Sequence, residues 1–149
     1  MGIRNVLETL RDGIANDVTL KAYCQSTYTK DQTVYLGIDK RNPPGEDKTP
    51  VIIIAYVERT EKMSNRIKYR ILIGYSVSDE TITTLSNKVT YDGFVYAEEL
   101  REQTETAILK LRKNLGKIDL EGDVVDNTIF PQFATGSFIT IENINSSRS

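Results

Sequence analysis

The hydrophobic pattern is organised around Pro50 to Val77. Pro50-Val51-Ile52-Ile53-Ile54-Ala55-Tyr56-Val57 is a continuous, mostly β-branched run with proline at its first position. A proline there forfeits no ladder bond, and a run apolar on both faces predicts a strand covered on both. The next run alternates. Ile67, Tyr69, Ile71, Ile73, Tyr75 and Val77 share one face, and Arg66, Lys68, Arg70, Gly74 and Ser76 lie mostly on the other. Between them, Glu58 to Asn65 reads as a turn or as the solvent-reaching tip of a long hairpin.

Helical spacing frames this core. Ile3, Val6, Leu7, Leu10 and Ile14 predict an amphipathic helix ending near Gly13 to Asn16. In Val18 to Tyr28 the positions Val18, Leu20, Ala22 and Cys24 alternate, which predicts a loop or a weak edge strand. Thr33 to Ile38 is a better strand. Asp39 to Thr49 holds Pro43-Pro44-Gly45 and predicts a loop projecting from one end of the sheet. Thr81 to Thr90 reads as a short strand or an irregular crossover. Asp92 is placed to cap a helix over Phe94 to Asn114, with Leu100, Thr104, Ala107, Ile108, Leu111 and Leu115 as its buried stripe and Gly116 as its stop. Lys117 to Val125 predicts an edge strand, Phe130 to Phe133 a turn, and Ser137 to Glu142 a last strand. Residues 1–144 are expected to form one α+β domain, with Asn145 to Ser149 as a loose polar tail.

Composition then narrows the class. A net charge of −2 argues against a general nucleic-acid binder, which needs a basic excess. Cys24 is the only cysteine and there is no histidine, so Ser-His-Asp and Cys-His pairs, histidine zinc sites and multi-thiolate metal sites are excluded within this chain. A lone thiol fits a reducing compartment, and no apolar run approaches the roughly 20 residues of a membrane helix. The amphipathic N-terminus does not read as a signal peptide.

Four constellations test for chemistry. Asp119, Glu121, Asp123 and Asp126 fail the calcium-loop spacing, because Gly122 falls at the fourth position and Phe130 at the twelfth. Glu98, Glu102 and Glu105 lack the histidines of a di-metal helical site and read as a solvated face. No glycine-rich phosphate loop is present. The row Arg66, Lys68, Arg70 reads first as a solvated hairpin end and second as a surface for an acidic partner or a nucleic acid. No cofactor, metal or catalytic residue is assigned.

An N-terminal helix (Ile3 to Ile14) leads to a first strand ending in a proline loop (Asn42 to Pro50). The P-V-I-I-I-A-Y strand, its partner Arg66 to Val77, a second helix and a C-terminal strand follow. In this order of elements the chain resembles the tail terminator, or tail-completion, proteins of long-tailed bacteriophages. The resemblance implies a mixed, mostly antiparallel sheet with two amphipathic helices packed on one face. It also implies a non-catalytic virion protein, assembled in the host cytoplasm, that forms a hexameric ring on the tail tube. Such a ring stops tube polymerisation and offers the surface that meets the head-tail connector or neck protein, and DNA passes only through its lumen. The family supplies no catalytic residues to transfer.

Interface expectations therefore come from the residues themselves. They are the loop Asn42, Pro43, Pro44, Gly45, Glu46, Asp47 and Lys48, the hairpin end Glu58, Arg59, Glu61, Lys62, Arg66, Lys68 and Arg70, and the C-terminal tail. Competing readings are another neck, head-closure or baseplate protein, or, from a different class, a small ligand-binding domain or carboxylate-dependent enzyme.

Overall fold

The alternating run 66–78 sets the register of the whole molecule. In the computed structural model, which describes residues 2–63, 66–123 and 129–144 (side chains at 60–63, 66, 123, 143 and 144 excepted), that run is strand β3, Arg66–Ser78. It lies at the centre of a five-stranded sheet of order β1-β2-β3-β7-β6. The other strands are β1 (Thr33–Leu36), β2 (Val51–Met63), β6 (Lys117–Asp123) and β7 (Gln132–Ile144). All pairs are antiparallel except β1 with β2. A separate two-stranded hairpin joins β4 (Ile82–Leu85) to β5 (Lys88–Tyr91). The fold is α+β.

One sheet face carries Ile67, Tyr69, Ile71, Ile73, Tyr75 and Val77, all buried, and pairs them with Ile139 and Ile141 of β7. Helices α1 (Ile3–Asn16) and α3 (Asp92–Leu109) cover this face through Val6, Leu10, Ile14, Leu100, Ala107 and Ile108. Their apolar stripes recur at three- and four-residue intervals, as a docked amphipathic helix requires. Helix α1 ends at Asn16, inside the expected range, with Gly13 in its last turn. Gly13 lets the helix approach α3's end so closely that a Cβ there would lie 2.6 Å from a methyl of Leu111.

Several expectations change. Val18 to Tyr28 is neither loop nor strand but helix α2 (Val18–Tyr28). The i, i+4 pair Leu20 and Cys24 is buried while Val18 is 80% exposed, so the period is helical and the apparent alternation incidental. Asp17 starts this helix by accepting the Leu20 N–H at 2.9 Å. The helical layer therefore holds more than the two helices expected. Asp92 is the first residue of α3 rather than its cap; Tyr91 occupies the cap, and Asp92 accepts a bond from Thr83 instead. The 94–114 helix breaks at Lys110 and resumes as α4 (Arg112–Leu115), where Gly116, at φ 94°, stops it as expected. Gln132 and Phe133 belong to β7 rather than to a turn.

The apolar run of β2 is covered only in part on its second face. Val51 is buried there, but Ala55 and Tyr56 are exposed, and a register shift falls between Ile54 and Tyr56. Part of the cover comes from the proline loop, which stands at this end of the sheet beside Val51. Pro43, Pro44 and Gly45 line with Val51, Ile53 and Ala134 a half-open cleft of about 440 Å³. No helix among the described residues is long and apolar enough to cross a membrane.

Candidate interaction surface

The register places the start of β2, the end of β3 and the start of β7 together, since Val51 faces Ser76 and Ser76 faces Ala134. From this end emerge the proline loop, the β4–β5 hairpin, the Ile129–Phe130 corner and the first turn of α3. Large apolar side chains concentrate here in the open. Ile82, Leu85, Val89 and Tyr91 on the hairpin are 46, 71, 60 and 45% exposed, and Phe94, Val95, Ile129 and Phe130 are also exposed. Isolated exposed hydrophobes are ordinary, and it is their number at one end of the fold that makes this end a candidate interaction surface.

The hairpin is held at its base and free beyond it. Asp79 accepts the Thr81 N–H at 2.7 Å, and its own N–H donates to the Pro131 carbonyl at 2.9 Å. Thr83 donates to Asp92 at 3.0 Å, while the Asp92 N–H donates to the Thr81 carbonyl at 3.1 Å. Tyr91 meets Phe130 edge-on at 5.6 Å, and Phe130 meets the buried ring of Phe133 at 6.2 Å. Gly93 leaves room for that ring; a Cβ at 93 would collide with Phe133. Every residue of β4 and β5 is exposed. Thr81 to Thr90 is thus a hairpin presented to solvent. Its signal was in the sequence: I-T-T-L and K-V-T-Y are β-forming tetrads flanking Ser86-Asn87, and Ser86 adopts φ 59° in the turn.

The expected interface residues fall at two opposite ends. Asn42 to Lys48 lie at the apolar end, where Glu46–Lys48 forms a 3-10 turn and Lys30 Nζ donates to the Asp47 carbonyl at 2.9 Å. Glu58 and Arg59 lie along the exposed far half of β2, opposite Arg70 and Tyr69. The side chains of Glu61, Lys62 and Arg66, like the tail 145–149, lie outside the described residues. Lys68 and Arg70 do share the open sheet face. Arg70 is not simply solvated: it sits 3.7 Å over the Phe138 ring, with its Nε 3.0 Å from Glu121. A cation held against both a ring face and a carboxylate is fixed in direction.

Interior polar groups serve cohesion. Tyr75 donates to Ser137 Oγ at 3.1 Å, Ser137 donates to Glu105 Oε2 at 2.7 Å, and Arg101 Nε lies 3.4 Å from the same oxygen. This chain ties α3 to β3 and β7. Burial raises the pKa of the Tyr75 phenol, and it stays protonated. Glu98 also lies within 3.7 Å of Arg101, so the expected row of helix carboxylates is partly neutralised from within. Cys24 is fully buried, and desolvation pushes its thiol up to about 12, which leaves little reactive thiolate at neutral pH. Among the described residues no group of three histidine, cysteine, aspartate or glutamate side chains converges as a metal site.

Fold and surface together define an α+β protein with a helix-covered sheet and an apolar, hairpin-bearing end. Comparison with protein-family models and with curated proteins finds no match.

Proposed function

We propose that this chain is a structural subunit of the tail terminator type. It assembles into a ring on the end of a phage tail tube, halts tube growth and presents a joining surface to the connector or neck. Its work is binding between subunits, without catalysis. The observation that carries this reading is the β4–β5 hairpin, which leaves Ile82, Val89 and Tyr91 on one face and Leu85 on the other in solvent, with Tyr91 against the exposed Phe130. Two short strands bury too little to be stable alone and persist best against a further strand or surface. An apolar end of this kind on a modestly charged protein fits permanent subunit contact.

A ring requires head-to-tail contacts between unlike patches of neighbouring copies. The separation of the apolar end from the charged far end of the β2–β3 hairpin supplies two unlike patches. Native mass measurement over a concentration series tests this. Closed species at one fixed multiple of 16.9 kDa are expected. They should be lost when Leu85 and Val89 are replaced by aspartate with no change in the melting of the body. Open-ended or random aggregation would argue against a ring.

A further inference from the structure

Strand β2 outruns its parallel neighbour. β1 pairs only with Val51 to Ile54, and the Gly37 N–H to Ile54 carbonyl bond, at 2.9 Å, is the last on that side. Beyond it Tyr56, Val57, Glu58 and Arg59 are paired regularly to Leu72, Ile71, Arg70 and Tyr69 on the inner side, between register shifts at Ile54/Tyr56 and Arg59/Glu61. Among the described residues no strand pairs with their outer side. An open edge of this kind accepts an added strand.

We infer that the β5 strand of a second copy adds antiparallel to this edge, with Lys88 opposite Glu58, Val89 opposite Val57 and Thr90 opposite Tyr56. The inference rests on the assembly reading above and names the contact that assembly would use. Three observations select the pairing. First, the lengths are compatible: Lys88, Val89 and Thr90 fall within the regular stretch Tyr56–Arg59, and Tyr91 reaches the irregularity at Ala55. Second, the charges match. Lys88 makes no ion pair among the described residues, and the Glu58 carboxylate receives a long bond from the Tyr56 hydroxyl at 3.4 Å.

Third, the faces match. Glu58 and Tyr56 point to the open sheet face with Arg70 and Leu72, whereas Val57 shares the helix-side face with Ile71. Placing Lys88 opposite Glu58 therefore turns Val89 and Tyr91 to the helix side. There a groove of about 280 Å³ is lined by Leu7, Leu36, Ile54 and Val57, with the Ala55–Tyr56 segment at its rim. A slip of one residue would instead lay Lys88 in that groove and Val89 in solvent, so the register is specified. The terminal strand β6 on the far side of the sheet is less suited. It carries Lys117, Asp119 and Glu121 in alternation, which discourages addition.

The contact joins unlike patches, so it propagates from copy to copy and closes only as a ring. Site-directed disulfides test it, since native Cys24 is buried. A Glu58→Cys/Lys88→Cys double variant, oxidised in its folded assembled form, should give a ladder of covalent multimers. A one-to-one mixture of the two single variants should give dimers and nothing larger. Charge reversal adds an independent reading. Lys88→Glu and Glu58→Lys should each weaken self-association at least about fivefold, and mixing the two should restore it. Assembly of the wild type without any 58–88 cross-link overturns this contact while leaving the ring reading intact. So do Lys88→Cys homodimers alone. Failure of the wild type to associate at its highest soluble concentration, with no cross-link, overturns both.

Discussion

Asp17 uses its two carboxylate oxygens on two different helices. Oδ2 accepts the Leu20 N–H at 2.9 Å and starts α2, while Oδ1 lies 3.0 Å from Lys110 Nζ at the end of α3. One side chain, 10% exposed, therefore fixes the corner between α1 and α2 and anchors that corner to the helix that follows the apolar hairpin.

Replacing Asp17 with alanine removes a helix cap and an ion pair together. It should destabilise the protein by about 1–2 kcal/mol, whereas Lys110→Met, which spares the cap, should cost less than about 1 kcal/mol. Urea unfolding of both variants checks the order. Equal losses would mean that the ion pair, not the cap, carries the effect.

The Tyr75–Ser137–Glu105 chain makes a non-additive prediction. Ser137→Ala leaves the buried Tyr75 hydroxyl without its acceptor and should cost about 1–3 kcal/mol. Adding Tyr75→Phe removes the orphaned group, so the double variant should be more stable than the sum of the single losses implies. Strict additivity in a double-mutant cycle would contradict the chain.

Gly93 is sensitive to size because its helix packs directly on an aromatic ring. A Cβ there meets Phe133, whose ring is held by Tyr91 and Phe130. Overpacking at such a site typically costs about 1–3 kcal/mol, and Gly93→Ala should lower the melting temperature despite alanine's better helix propensity. An unchanged or raised melting temperature would show that the ring can move aside.

Alkali should destabilise this protein through its buried phenols and thiol. Burial pushes Tyr23 up to about 12 and Cys24 up to about 12 from a reference value of 9.0, and it raises Tyr28 and Tyr75 as well. The folded form thus holds these protons more tightly than the unfolded chain. Their contribution is complete below about pH 9 and is lost as pH rises from there through 12. Urea midpoints measured from pH 7 to 11 should stay level and then fall. Cys24 should resist thiol reagents at neutral pH until urea exposes it.

The hydrophobic periods carried most of the fold. The strict alternation from Ile67 to Val77 fixed β3 and its buried face, and the spacing of Val6, Leu10 and Ile14 fixed α1. Helix α2 was hidden because Val18 and Ala22 mimic alternation; only the burial of Leu20 and Cys24 separates the two periods. The β4–β5 hairpin was missed as a hairpin because neither of its faces is buried, so no contrast between core and solvent marks its register. The second face of β2 was overestimated. Apolar sequence there does not imply cover, and Ala55 and Tyr56 stay open at the edge that another strand would fill. The expected interface residues were scattered over two ends because composition locates charge but not the path of the chain.

The most direct test of the proposed terminator role is electron microscopy of the purified protein mixed with phage tail-tube subunits. Rings of sixfold symmetry seated on tube ends, with tube length limited by the amount of protein added, are the predicted result. Tubes that grow equally long with bare ends would contradict the account, as would turnover of a substrate by pure material.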